Sequence, residues 1–233
     1  MTPKILLDFD GVLFNSAFEA FSVCQAVGKQ DDSLRQDVDF KEFLEFRAFV
    51  TDAWQYRRLY SPAWGDTPFS TLPHVEPNDE DWEFADAFFA ARRAAMTDAD
   101  WPKVMSPYDF FFLLKPLLVE RAESFAILST RDRASIARTM QFFGVPGLDI
   151  HGQEDIRRDG SKIDVARGQG WLTDNRFLVV YVDDMNDHLE PFDGVVHLPL
   201  HAGWGYDHTA AHSMSAHQVS AVIHSLLKLS RNA

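Results

Sequence analysis

Lys4-Ile5-Leu6-Leu7-Asp8-Phe9-Asp10-Gly11-Val12-Leu13 joins a short apolar run to two acids, one residue apart, and a glycine. Ile5, Leu6 and Leu7 read as a strand buried on both faces, the habit of parallel sheets. Asp8 and Asp10 therefore emerge at its carboxyl end, the edge where open α/β sheets bind ligands. Residues i and i+2 of a strand share a side, so the two carboxylates face one region and each disfavours ionisation of the other. A hard divalent cation such as magnesium offsets that repulsion, because it takes oxygen ligands and commonly binds through one or two carboxylates, waters and a phosphate. The plainer alternative is an acidic loop that merely follows a strand.

Working outward, the second half of the chain repeats this kind of strand. Ser124 to Leu128, Phe177 to Val182 and Val195 to Leu198 are short apolar runs, and a further short strand is expected at Leu148 to His151, after the turn residues Gly144-Val145-Pro146-Gly147. Helical patterns separate them at Arg133 to Phe143, Ser161 to Gly170 and Asp184 to Glu190, and an amphipathic helix closes the chain at Ser213 to Leu229. Strands alternating with helices predict a doubly wound parallel α/β sheet covered on both faces.

Between Leu13 and Ser124 the pattern turns helical. The candidates are Ser16 to Val27, Phe40 to Tyr60, Asp79 to Met96 and Tyr108 to Glu120, with a proline-bearing loop from Ser61 to Asn78. The acids at the start of the third suit the positive end of a helix dipole. A parallel sheet interrupted after its first strand implies a core of residues 1–15 and 105–233 with an inserted α-helical cap domain, 16–104.

The 233 residues are 46% hydrophobic, enough for such a core, and 35 acids against 22 bases give a formal charge of -13. That balance argues against a nucleic-acid or anionic-membrane partner, both of which call for a basic surface. Cys24 is the sole cysteine, so no intrachain disulfide can form and a cytoplasmic location is expected. No apolar run approaches the roughly 20 residues that span a bilayer.

Other chemistry converges on the same sheet edge. Ile127-Leu128-Ser129-Thr130-Arg131-Asp132 brings two hydroxyls and a guanidinium to a strand end. These groups suit a phosphate, although Ser129 or Thr130 could instead cap the next helix and Arg131 could pair with Asp132 or Asp155. Lys162 opens a helix, where its charge opposes the dipole, so a nearby anion is expected to pair with it. Val179-Val180-Tyr181-Val182 runs into Asp183-Asp184-Met185-Asn186-Asp187, a second apolar strand ending in acids.

With these residues in place, the chain resembles the haloacid dehalogenase superfamily of phosphohydrolases. Asp8-Phe9-Asp10-Gly11-Val12-Leu13 is similar to its first signature, Ser129 to the second, Lys162 to the third, and Asp183-Asp184 with Asp187 to the fourth. The resemblance implies a Rossmann-like core and a Mg²⁺-dependent phosphatase of a small phosphorylated substrate. Asp8 would be the nucleophile that forms an aspartyl phosphate, and Asp10 the general acid and then base. Ser129, Thr130, Arg131 and Lys162 would bind the phosphoryl group. The metal would be held by Asp8, the backbone carbonyl of Asp10 and Asp183, with Asp184 and Asp187 as further ligands or as residues that orient Lys162. Dehalogenase members lack the second acid, so Asp10 points from halide to phosphate. Val12, where protein and polynucleotide phosphatases often carry threonine, and the large cap both favour a small metabolite.

Three function classes follow: the phosphatase, a phosphotransferase such as a sugar-phosphate mutase, and a binding protein that kept the fold without catalysis. The intact Asp8 and Asp10 weigh against the last. Trp54, Tyr56, Arg57, Arg58 and Tyr60 either form a stacking and charge-pairing surface for a nucleoside or sugar phosphate, or the aromatics pack cap to core and the arginines solvate a helix face; Trp54, Trp64, Trp82, Trp101 and Trp204 motivate a nucleotidase reading. Arg92 and Arg93 stand under the same alternatives. His197, His201, His208, His212 and His217 show no zinc-ligand spacing. Oligomeric state is not legible.

Overall fold

The computed structural model describes residues 1–64, 68–208 and 212–230. The chain forms two compact units, one of Met1–Asn15 with Ser106–Ala233, the other of Ser16–Met105.

In the first unit the strands are β1 (Thr2–Leu7), β2 (Phe14–Asn15), β3 (Ser106–Pro107), β4 (Phe125–Leu128), β5 (Asp149–His151), β6 (Phe177–Asp183), β7 (Leu198–Ala202) and β8 (Ser213–Met214). Six of them form one sheet in the order β5-β4-β1-β6-β7-β8, every neighbouring pair parallel. Counting only these six, the order is 3-2-1-4-5-6, the doubly wound Rossmann arrangement expected from the strand–helix alternation, whose direction of winding reverses beside β1. β2 and β3 pair separately as an antiparallel ribbon with Asn15 opposite Ser106.

Both faces of the sheet are covered. Leu6, Ala126, Leu128 and Tyr181 pack with Ile163, Val165 and Ala166. The alternate residues Ile5, Leu7, Ile127, Val180 and Val182 point the other way and are equally buried.

The second unit holds α1 (Ala17–Gly28), α2 (Phe40–Arg47), α3 (Tyr56–Tyr60) and α4 (Asp79–Ala95). The first holds α5 (Asp109–Glu120), α6 (Arg133–Phe142), α7 (Gln153–Asp159), α8 (Lys162–Gly168), α9 (Asn186–Leu189) and α10 (Ala216–Leu229). Helix α10 contacts α5, β1 and β7.

Several expected elements differ. The segment Phe40 to Tyr60 is two α-helices and a 3₁₀ turn, because Asp52 accepts from Ala53 N and Gln55 closes a capping box that restarts the chain. The proline-bearing segment contains 3₁₀ turns at Pro62–Trp64 and Phe69–His74; its residues 65–67 lie outside the described ones. The last long strand is Leu198–Ala202 rather than Val195 to Leu198, and it carries Pro199, a residue that supplies no ladder donor. The helix after β6 begins at Asn186 instead of Asp184, leaving Asp183 on the strand and Asp184 in the connection. Helix α10 is preceded by β8, and α7 is an additional helix.

The interior of the second unit is aromatic. Phe43 stacks on Tyr56, Tyr56 on Phe88, and Phe46, Tyr60 and Phe84 are buried among them. Two buried ion pairs tie its helices: Arg92 donates through Nε and Nη2 to the two Glu19 oxygens at 2.9 and 3.0 Å, and Arg58 Nη2 donates to Asp81 Oδ2 at 3.0 Å. The Arg58 guanidinium lies between the rings of Trp54 and Trp64, 4.6 and 4.7 Å from their centroids.

Candidate active site

Asp8 follows the last residue of β1, and its backbone N–H donates to Val182 O at 2.9 Å, so the carboxyl ends of β1 and β6 stay in register where both become acidic. Asp8, Asp183 and Asp184 are buried, and one carboxylate oxygen from each lies within 4.8 Å of the others. Lys162, the first residue of α8, reaches into this group. Its Nζ donates to Asp8 Oδ1 at 3.0 Å and to Asp183 Oδ2 at 2.7 Å, which supplies the anion that its position at a helix start calls for.

Two residues without a sequence signature complete the lysine's surroundings. His188 Nδ1, on α9, lies 3.0 Å from Lys162 Nζ, and the Tyr181 hydroxyl donates to Asp183 Oδ2. Tyr181 sits two residues before Asp183 on the strand, so both point to the same side, a relation the sequence period could have supplied. Nothing in the sequence singles out His188 from the other histidines.

The electrostatics follow from burial and pairing. Burial raises the Asp8 carboxyl above its ordinary value, with Lys162 opposing it. Burial pushes Asp183 the same way, but there Lys162 and His188 win and hold it well below the carboxylate range. For Lys162 burial acts downward, and Asp183 and Asp8 overcome it, so the amine stays charged. Burial, together with Asp183 and Asp8, pushes the Tyr181 phenol up, keeping it a donor.

Asp184 is fixed by backbone. Its Oδ2 accepts from Tyr206 N at 2.6 Å, and two glycines press on it. Gly11 has φ +85°, and a Cβ there would lie 2.1 Å from Asp184 Oδ2; a Cβ on Gly205 would lie 2.2 Å from Asp184 Cβ. The glycine after the first acid pair is thus required both for its positive φ and for this approach.

Three buried carboxylates with one ammonium among them fit a divalent cation. Their oxygen donors are those a hard ion such as magnesium takes, and the surplus negative charge needs a counter-ion once desolvated. Among the described residues this is the one such group of acids, cysteines and histidines, and it includes none of the late histidines. Asp187 is exposed on α9 and does not join it; the Asp10 side chain stands outside it as well.

The loop after β4 faces the same edge. Ser129 is buried, and its N–H donates to His151 O at 3.0 Å, while Gln153 N donates to Arg131 O at 2.9 Å, so the end of β5 clamps the loop on both sides. Asp132, not Ser129 or Thr130, is the cap of α6, accepting from Ser135 N at 2.9 Å. Arg131 is buried. Its Nη1 donates to Asp10 Oδ1 at 2.9 Å, and Arg133 takes Asp155. Thr130 is half-buried.

Several of the side chains proposed to read a base are used otherwise, although Trp82 is exposed. Trp54, Tyr56, Arg58 and Tyr60 pack the interior of the second unit, as does Arg92, whereas Arg93 is exposed. Trp204 Nε1 donates to Val12 O at 3.0 Å and its ring packs on Phe110, which pins the loop after β7 to the segment carrying Asp10 and Gly11.

The chain is thus an α/β protein whose doubly wound sheet gathers three acids, a lysine and a hydroxyl at its carboxyl edge. The fold is that of haloacid dehalogenase-like hydrolases. A protein described as a predicted phosphatase from Clostridium acetobutylicum is 14% identical with a TM-score of 0.64, the match covering 97% of this chain and 99% of that one. A haloacid dehalogenase-like hydrolase from Streptococcus pneumoniae is 15% identical with a TM-score of 0.58, covering 95% and 98%. A β-phosphoglucomutase from Clostridium difficile is 12% identical with a TM-score of 0.59, covering the whole of both chains. No protein-family model matches the chain, and no curated protein matches its sequence. No helix among the described residues is long and apolar enough to cross a membrane.

Proposed function

We propose that the protein is a Mg²⁺-dependent phosphatase of the haloacid dehalogenase superfamily that hydrolyses a small phosphorylated metabolite through an aspartyl phosphate on Asp8. The observation that carries this reading is the buried Asp8 carboxylate with Lys162 Nζ 3.0 Å away and Asp183 and Asp184 beside it. A carboxylate attacking phosphorus divides one hard displacement into two easier ones. Lys162, hydrogen-bonded to Asp8, is placed to neutralise the charge of the arriving phosphoryl group. Ser129, held by the β5 clamp, offers a hydroxyl to a phosphoryl oxygen.

Asp10 donates a proton to the leaving oxygen as the P–O bond breaks, then takes one from the water that attacks the Asp8 phosphoryl. Asp8, Asp183, Asp184 and the backbone carbonyl of Asp10 would hold the magnesium, which supplies Lewis-acid neutralisation of phosphoryl charge. Asp187, exposed on α9, is left out of this set.

Purified protein with Mg²⁺ should release inorganic phosphate from p-nitrophenyl phosphate and from members of a metabolite panel, and chelation should stop it. Turnover no greater than that of Asp8→Asn rules the reading out. The likeness in fold to a β-phosphoglucomutase supports a second reading, return of the phosphoryl group to the substrate. Isomerised sugar phosphate without free phosphate would select it. Of the tryptophans that motivate a nucleotide preference, Trp54 and Trp101 are buried and Trp204 is bonded to Val12 O, whereas Trp82 is exposed, and the same panel compares nucleotides with sugar phosphates.

A further inference from the structure

Arg131 stands in an unusual chain of contacts. Asp132 caps α6 and its Oδ2 also accepts from the Ser135 hydroxyl at 2.9 Å; Ser135 Oγ in turn accepts from Arg131 Nε at 2.8 Å; and Arg131 Nη1 donates to Asp10 Oδ1 at 2.9 Å. The guanidinium lies 5.4 Å from the centroid of the Phe9 ring, and its side chain is fully buried. Behind it the backbone is clamped: Gln153 N holds Arg131 O, and a Cβ on Gly152 would lie 2.8 Å from that same oxygen, so only glycine lets the β5 end close on the loop. Helix α6 therefore fixes one end of the arginine and the acid/base residue receives the other.

A guanidinium only donates and stays protonated throughout the accessible pH range. The Asp10 oxygen it grips cannot itself carry a proton directed at that contact. We infer that Arg131 is a positioning residue for proton transfer: it holds Asp10 Oδ1, so that the proton passed to the leaving group travels on Oδ2 and in one orientation. This inference rests on the phosphatase reading above. In the step concerned, the Asp8 oxygen–phosphorus bond forms, the bond from phosphorus to the leaving oxygen breaks, and the Oδ2 proton moves to that oxygen, leaving Asp10 as a carboxylate. In the second step Asp10 recovers a proton from water as the water oxygen bonds to phosphorus and Asp8 is released. Arg131 exchanges no proton in either.

Leaving-group dependence separates this role from a phosphate contact or from packing. An alkyl phosphate needs a proton on its departing oxygen, whereas p-nitrophenolate leaves without one, and kcat/KM reports only the first, phosphoryl-transfer step. A positioned general acid contributes about 10²–10⁴-fold, so Arg131→Met should lower kcat/KM on an n-alkyl phosphate at least about tenfold more than on p-nitrophenyl phosphate. Arg131→Lys, which keeps a donor, should recover part of the difference. Ser135→Ala, which frees the far end of the arginine, should show the same selective loss in milder form, and it decides the matter should Arg131→Met not fold by circular dichroism. Equal losses on both substrates with a raised KM would mean that Arg131 binds the phosphoryl group, and no loss would mean that it only packs; either overturns the inference while leaving the phosphatase reading intact. A wild-type chain that turns over neither substrate removes both.

Discussion

At the scale of single residues, the buried carboxylates depend on very few neighbours. Asp8 and Asp183 share one ammonium, and each is almost wholly removed from water. Removing one partner of a buried pair leaves an uncompensated charge and costs about 3–5 kcal/mol. Lys162→Met should therefore lower the unfolding free energy in urea by about that amount when a chelator is present, and a loss under about 1 kcal/mol would show that the acids find other compensation. Asp184 is held by the hydrogen bond from Tyr206 N and by close steric contact. Gly205 has no positive φ, so alanine there meets only the collision with Asp184 Cβ. Displacing a site group by about 1 Å can cost about 10²-fold in rate. Under the proposed function, Gly205→Ala should remove most phosphatase turnover and also the rise in melting temperature expected on adding Mg²⁺; a variant that keeps the full Mg²⁺ shift of the wild type would show Asp184 unmoved or unneeded. The acids and Lys162 were legible because each breaks a local rule: acids ending an apolar strand, a cation at the wrong end of a helix. Arg131 was noticed for its place, but its partner was not, because Asp10 lies 121 positions away and nearer acids compete in sequence.

At the scale of elements, the anchoring of β5 and α7 carries a pH dependence. Asp155 is buried near the start of α7 and receives hydrogen bonds from Gly152 N at 3.1 Å and from Arg133, with Arg158 Nη1 at 3.1 Å and His151 Nδ1 at 3.9 Å beyond. Burial alone would raise its carboxyl, but the hydrogen bonds from Arg133 and Gly152 and the nearby positive charge hold it below the ordinary value of 3.8. The folded state thus binds this proton less readily than the unfolded chain. Its contribution to stability is complete above the unfolded value and is lost as the pH falls through the folded one. Thermal melts should show the wild-type midpoint falling as pH drops below about 4, and Asp155→Asn should be less stable at neutral pH with a shallower acid limb. Parallel acid limbs would place the effect elsewhere. The strands that were legible are those with uninterrupted apolar runs. β7 was displaced because Pro199 breaks its propensity, and β8 is too short to register, its pairing set by His201 and Ala202 across the sheet. The break in Phe40 to Tyr60 had a readable sign, the Asp52-x-x-Gln55 capping pattern, which a helical hydrophobic period overrode.

At the scale of the whole molecule, the second unit is a single uninterrupted segment whose two chain ends meet in the first. Asn15 pairs with Ser106 across the β2–β3 ribbon, so the sheet sees a closed connection whatever lies within it. That geometry is what makes a long insertion after the first strand compatible with one parallel sheet, since closing a loop costs little more as it lengthens. The insertion was legible as a change from strand-like runs to helical periods; which of its aromatics pack inward was not, because stacking surfaces and cores draw on the same residues. Two consequences can be measured. Residues 16–105 contain their own aromatic core and the buried pairs Arg92–Glu19 and Arg58–Asp81, so the excised segment should give a helical circular dichroism spectrum and a cooperative melt. Conversely, Asp8, Lys162, Asp183 and Asp184 all belong to the first unit, and joining Asn15 to Ser106 through a short glycine-serine link leaves them in one fold. The linked protein should keep a Mg²⁺-dependent rise in melting temperature, and replacing Asp183 by Asn in it should abolish that rise. Loss of the Mg²⁺ response on linking alone, with the sheet intact, would mean that the cation site draws on residues of the insertion, and the assignment of the metal ligands to the strand ends would have to be given up.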